Sequence, residues 1–258
     1  MDILRKELNS IYEAQHLGRE NLSPADVASA RARAEVMIGV NGACAVITDA
    51  SCDRCYVMAG GFGRLMGFSD VPFLVQEVAS SDEDEIYSRL HPEDLVDKRM
   101  LEYEFFRRVD ALPPSEKTLF KATCRIRMRD REGVYRYVDN STQVVGLSPA
   151  GSMWLILCCY DLSPDLSDRG DGISPCIVSN TTGETQCLSF GARRQHLLTE
   201  REKEILRLIR EGRPSKQIAA LLGISVNTVN RHRQNIISKL SVGNSIEAVT
   251  AATAMRLL

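Results

Sequence analysis

Five residues near the end of the chain carry side chains that can bond base edges or phosphates: Asn227, Asn230, Arg231, Arg233 and Gln234. Arginine can form a bidentate pair with guanine O6 and N7, and asparagine or glutamine with adenine N6 and N7. No acid interrupts the run. Lys216, Thr228 and Arg233 supply groups that reach phosphates, contacts that position a duplex without reading it. With the residues of the adjoining turn, the set expected at double-stranded DNA is Lys216, Gln217, Ser225, Val226, Asn227, Thr228, Asn230, Arg231, Arg233 and Gln234. Other chemistries find less support. There is no Ser/His/Asp, paired-carboxylate or metal constellation, so an enzyme is not expected. Cys52 and Cys55 make one C-x-x-C without a second pair at zinc spacing, and no metal or cofactor is evident. Gly60, Gly61, Gly63 and Gly67 are not followed by a βαβ unit closed by an acid about 20 residues on, as a dinucleotide loop requires. They read instead as a sharp turn from a strand into a short helix.

Two helices and a turn must hold the reading residues. Ser215 is placed to cap a helix whose apolar side is Ile218, Ala219, Leu221 and Leu222. Gly223 follows, where a left-handed residue ends a helix most cheaply. Ser225 caps the second helix, in which Val226, Val229, Ile236, Ile237 and Leu240 recur at helical spacing as a buried stripe. Val226, at the helix start, belongs to both this stripe and the DNA set. Upstream, Thr199 and Glu202 form a capping box ahead of Ile205, Leu206, Leu208 and Ile209. Downstream, Asn244 and Glu247 start a last helix bearing Ile246, Val249 and Ala252.

These residues resemble the LuxR-type DNA-binding domain over 195–258: Leu198-Thr199-Glu200-Arg201-Glu202, Ser215-Lys216-Gln217-Ile218-Ala219, Thr228-Val229-Asn230-Arg231-His232 and Lys239-Leu240. The resemblance implies a four-helix module that binds duplex DNA as a dimer, with Ile246, Val249 and Ala252 pairing across it. The family often carries Lys or Arg where this chain has Asn230, so a different base preference is expected.

At 258 residues two domains fit. From Phe190 onward there are 12 Lys and Arg against 5 Asp and Glu, whereas the rest holds 20 against 29. A basic module on an acidic body suits nucleic-acid binding by the module alone. No apolar run approaches the ~18 residues of a membrane helix, and the first ten residues lack a signal-peptide core. The expected location is the cytoplasm, with all eight cysteines reduced.

Residues 1–40 read as helices, with Ile3, Leu4, Leu8 and Ile11 on one face and Pro24 opening a second helix. They either pack on their own domain or act as a dimerisation arm. Two strands around Cys44–Thr48 and Cys55–Met58 follow, then several helices, including an acidic start at Ser81-Asp82-Glu83 and another at His91-Pro92-Glu93-Asp94. Three strand-like runs, 120–128, 135–145 and 153–161, complete an α+β unit of antiparallel sheet and flanking helices. Over 41–165 this order, with His91-Pro92-Glu93-Asp94 ahead of Arg125-Ile126-Arg127 and Tyr135-Arg136-Tyr137, resembles a PAS domain. That resemblance implies a sensory or dimerising module with room for a small ligand between sheet and helices. The N-C-R-F motif of its flavin photoreceptors is missing, and His91 reads as structural. Cys44, Cys124, Cys158 and Cys159 sit at apolar strand positions, which argues against reactive thiols. Residues 166–194 read as a linker containing a small hairpin about Asn180-Thr181-Thr182-Gly183-Glu184.

The organisation expected is therefore helices over 1–40, a PAS-like domain over 41–165, a linker over 166–194 and the DNA-binding module over 195–258. The function expected is a dimeric, DNA-binding transcriptional regulator, with RNA polymerase a candidate protein partner and no membrane. The alternative is a PAS-type interaction module with little specific DNA binding.

Overall fold

Strand β1 (Cys44–Asp49) is buried at all six residues, so both its faces must be covered. β2 (Arg54–Ala59) returns beside it through a turn in which Asp53 takes a φ of 48°, a left-handed conformation that aspartate tolerates better than most. The computed structural model describes residues 3–80, 83–167, 172–190, 197–240, 242–254 and 257–258. Among them the sheet is antiparallel throughout, in the order β3-β2-β1-β6-β5-β4-β7-β8. Here β3 is Leu74–Val78, β4 Phe120–Arg129, β5 Tyr135–Leu147, β6 Met153–Leu162, β7 Cys176–Ser179 and β8 Thr185–Cys187.

One face of the sheet is covered by α1 (Ile3–Glu13), α3 (Gly61–Met66), α4 (Asp84–Tyr87) and α5 (Pro92–Asp110). Leu8, Phe62, Met66, Met100, Phe105 and Phe106 pack there against Val46, Ile126, Met128 and Ile156. Tyr12 meets Phe106 edge to face at 5.5 Å. The alternation expected in 120–128 is present, with Ala122, Cys124, Ile126 and Met128 turned inward. The other face is covered by α2 (Pro24–Asn41), whose Ala30, Ala34 and Ile38 lie on Ala45, Ile47, Met58 and Trp154. Small residues let the helix approach the sheet closely, and the Trp154 indole N–H donates to Asp49 at 2.8 Å. The same helix leaves Val36 and Val40 exposed. The N-terminal helices thus pack on their own domain and still present an apolar outer edge.

Several expectations need correction. The stretch after Gly67, expected to be helical, contains β3, whose Leu74–Val78 pair with β2; the polar residues between its apolar ones suit an exposed edge strand. The acidic helix is only one turn, α4, and Ser81 and Asp82 lie outside the described residues. The hairpin expected inside the linker is present as β7 and β8, but it belongs to the sheet, because Phe120 to Thr123 of β4 pair with β7. The boundary expected at 194/195, and the side chains of Ile3 and Leu4, lie outside the described residues. Gly60 explains itself sterically: a Cβ there would sit 2.7 Å from the Gly42 Cα, so glycine permits close backbone approach at the start of α3.

The interior beneath α5 is charged. Lys98, fully buried, pairs with Glu102 and donates to the Tyr87 hydroxyl at 3.0 Å, while Tyr160 donates to Glu83. Burial pulls the Lys98 ammonium down, but the carboxylate of Glu102 outweighs it and holds the group above its ordinary value. Burial pushes the Glu83 carboxyl up, against the opposing pull of Lys98 and the Tyr160 hydroxyl. Among the described residues, no helix is long and apolar enough to cross a membrane.

Candidate nucleic-acid interface

The C-terminal helices are α6 (Glu200–Arg210), α7 (Ser215–Leu222), α8 (Val226–Lys239) and α9 (Ser245–Ala254). The capping box at the start of α6 is complete: Thr199 Oγ1 accepts from the Glu202 N–H, and the Glu202 carboxylate accepts from the Thr199 N–H at 2.8 Å. The same carboxylate takes Lys239 Nζ at 2.7 Å from the far end of α8. Burial pushes the Glu202 carboxyl up, but Lys239 and Thr199 outweigh it and hold it below its ordinary value. Gly223 ends α7 with a φ of 64°, and Ser225 caps α8 by accepting from the Thr228 N–H at 3.0 Å. Asn244 caps α9, its Oδ1 accepting from the N–H groups of Ile246 and Glu247.

On α8, Val229, Ile236 and Leu240 are buried and Ile237 is half-buried. Val226 is exposed, so the buried stripe begins one turn later than its spacing predicts; the first turn of α8 meets solvent. Asn227, Asn230, Arg231 and Gln234 follow the i, i+3, i+4, i+7 pattern that shares one helix face, and all four are exposed. Lys216, Ser225 and Thr228 are exposed or partly so, and Lys216 and Arg231 make no ion pair with any described residue. Gln217 is exposed on α7.

Three side chains depart from the reading of the sequence. Ser215 does not cap α7, whose cap position is Pro214. Instead Ser215 Oγ accepts from Arg233 Nη1 at 2.9 Å, and Arg233 Nε donates to Ser245 Oγ at 3.1 Å. Arg233 follows Val229 by four residues and so leans toward the buried stripe, where it ties α7, α8 and the start of α9 together. Ala252 is fully buried with Ala248 and Ala251; α9 packs that side on α6, so the apolar surface left to a second copy is Ile246, exposed, and Val249, half-buried. The Glu202–Lys239 pair was not foreseen, since its partners lie 37 residues apart.

Residues 196–252 match the family "Bacterial regulatory proteins, luxR family". This segment is a luxR-family domain. Similar curated proteins agree over the same region: the uncharacterized response regulatory protein YgeK of Escherichia coli is 48% identical over 58 residues, 22% of this chain and 40% of that protein. The transcriptional activator protein AnoR of Acinetobacter nosocomialis is 46% identical over 61 residues, 24% of this chain and 26% of AnoR. The chain therefore spans well under half the length of these relatives. Among solved structures, the phage VqmA–DPO complex is 18% identical, covers 89% of this chain and 90% of its own, and has a TM-score of 0.29. The Vibrio cholerae VqmA dimer in the absence of target DNA is 16% identical, with coverage of 92% and 89% and a TM-score of 0.31. Scores that small leave the residues ahead of the luxR-family domain without a structural assignment.

Elsewhere, the enclosed space between α5 and the sheet is about 20 Å³, bordered by Glu83, Tyr87, Glu102 and Cys158, enough for about one water. A cleft of about 480 Å³ opens beside α2, with Met37, Asn41, Arg125, Asp139 and Asp161 among its walls. His91, Glu93 and Asp94 bring potential ligand atoms within 4.8 Å of one another. Arg127 donates to both carboxylates, at 2.6 Å each, and takes the place a cation would need. Burial and Arg127 lower the His91 imidazole below its ordinary value.

Proposed function

We propose that this chain is a transcriptional regulator that reads duplex DNA through α8 and acts as a homodimer. The observation that carries the reading is the exposed quartet Asn227, Asn230, Arg231 and Gln234 on one face of a capped helix within a luxR-family domain. One helix-turn-helix reads a half-site, so two copies are needed for an operator. Lys216 and Thr228 act at phosphates with Gln217, Ser225, Val226 and Asn227 around them, while Ile246 and Val249 meet the second copy. The sheet and helices ahead of the domain serve as its sensory or dimerising part, with a small ligand of the cleft beside α2 as signal. RNA polymerase is the protein partner, and the cytoplasm the location. No catalysis is assigned. A second reading, an interaction module with little specific DNA binding, draws on the exposed Val36 and Val40 of α2.

Selection of sites from random duplex DNA, followed by salt titration, separates the two. Specific binding should emerge, with affinity falling linearly in log–log form as counterions are released. Arg231→Ala should relax the selected sequence, whereas Lys216→Ala should weaken all duplexes and lower the salt slope by about one. No selected sequence, or equal sequence-independent losses in both variants, would leave only the second reading.

A further inference from the structure

Cys176 of β7 stands directly opposite Cys187 of β8. The ladder around them fixes what kind of pair this is. Ser179 N–H donates to Glu184 O at 2.9 Å, and Leu188 N–H to Pro175 O at 2.8 Å. Hydrogen-bonded and non-hydrogen-bonded pairs alternate along an antiparallel ladder. With 175/188 and 179/184 hydrogen-bonded, 177/186 is too, and 176/187 falls in a non-hydrogen-bonded position. Such positions bring Cα atoms to ~4.5 Å, within the ~4.4–6.8 Å that a disulfide spans. Both thiols are free, and their sulfurs lie 3.2 Å apart. Closing that gap to the ~2.0 Å of a bond needs side-chain rotation but no backbone movement. The pair also sits at the water-facing end of the sheet, unlike Cys44, Cys55, Cys124 and Cys158, which are buried.

We propose that Cys176 and Cys187 are a redox-active dithiol, oxidised reversibly to an intramolecular disulfide by dissolved low-molecular-weight disulfides. Cys187 is exposed and Cys176 half-buried, so Cys187 meets the oxidant first. Its thiolate attacks one sulfur of the small disulfide; that S–S bond breaks and one small thiolate leaves. Cys176 then gives up its proton and attacks the Cys187 sulfur, forming the internal bond and expelling the second small thiolate. The two cysteines lose two electrons and two protons, and the small disulfide gains both to become two thiols. Burial and the neighbouring Cys187 push the Cys176 thiol up to about 11. This makes it a slow first attacker, while its position against the Cys187 sulfur suits it to the second step. Oxidation pins the hairpin that ends the sheet and precedes the luxR-family domain.

The test uses the full chain incubated with oxidised glutathione, then alkylated and mapped by mass spectrometry. The expected product carries no disulfide between chains, has lost two of its eight thiols, and yields the peptides of Cys176 and Cys187 linked to each other; dithiothreitol reverses the change. In Cys176→Ser, Cys187 should retain glutathione as a stable mixed disulfide, and in Cys187→Ser, Cys176 should stay largely free under the same conditions. The proposal is overturned if both peptides alkylate freely while other cysteines oxidise, or if the bond joins two chains. Because the mapping of the unaltered protein decides the main point, it stands even where a serine variant folds poorly.

Discussion

Removing the Glu202 carboxylate should unfasten the luxR-family domain. Its side chain is only 3% exposed. It accepts from the Thr199 N–H at 2.8 Å, from the Thr199 hydroxyl at 3.0 Å and from Lys239 at 2.7 Å. Glu202→Ala removes the reciprocal half of a capping box, worth about 1 kcal/mol. It also leaves the Lys239 ammonium without its partner; breaking a buried pair this way costs about 3–5 kcal/mol. Lys239 keeps some access to water, 17% of its side chain, which favours the lower end. The combined loss is about 3–4 kcal/mol, while a small domain at ~0.05–0.15 kcal/mol per residue holds roughly 3–9 kcal/mol in all. Glu202→Gln keeps an acceptor for Thr199 and should lose about half as much. Hydrogen exchange of the α6 amides in the full chain reads this domain separately from the sheet. The pH dependence has a definite sign. Because the folded carboxyl lies below its ordinary value, its stabilisation is present above the unfolded value of ~4.3 and is lost as pH falls through the folded one. The glutamine variant should flatten that acid limb. An alanine variant whose α6 exchange shifts by less than about 0.5 kcal/mol, the scatter of ordinary surface changes, would refute the reasoning.

The same logic beneath α5 predicts that Lys98→Met costs about 3–5 kcal/mol, because Glu102 is left buried and unpaired, and that adding Glu102→Leu restores much of it; urea titrations of both variants check this. Glu83→Gln should gain on the unaltered protein as pH rises. The raised Glu83 carboxyl contributes stability below its unfolded value of ~4.3 that is lost as pH climbs through the folded value, and melting temperatures at pH 5 and pH 8 read the difference. On α9, Ile246→Asp should weaken dimeric binding to a selected site with stability unchanged within about 0.5 kcal/mol, whereas Ala252→Asp should unfold the domain because it buries a charge. Circular dichroism with binding assays distinguishes the pair, and an Ala252→Asp domain that folds normally would return that residue to the surface.

What was legible in the sequence had short range. The caps at Thr199, Ser225 and Asn244 and the turn at Gly223 each involve residues within a few positions of one another, and all are present. The strands of the sheet's middle were legible because one face of β4 alternates. β3 was not, because an edge strand with polar residues on it has no periodicity to declare. Arg233 shows the limit most clearly. Its type and place on a basic helix suggested phosphate, yet the two hydroxyls that claim it lie 18 and 12 residues away, a distance no local pattern spans. Ala252 misled for a different reason: alanine is small enough to serve either face of a helix, and only the packing of α9 on α6 decides.

The tether at Arg233 also bears on how the reading face meets its target. A guanidinium held by two hydroxyls on two other helices has little rotamer freedom left, and it fixes the angle at which α8 leaves its neighbours. Under the proposed function, this tether reduces the ordering of these helices that binding to a duplex would otherwise cost. The exposed side chains of α8, which have no such restraint, are then the main source of conformational entropy lost on the duplex. Discrimination between sequences should accordingly show itself in their enthalpy of contact rather than in any rearrangement of the helices that carry them.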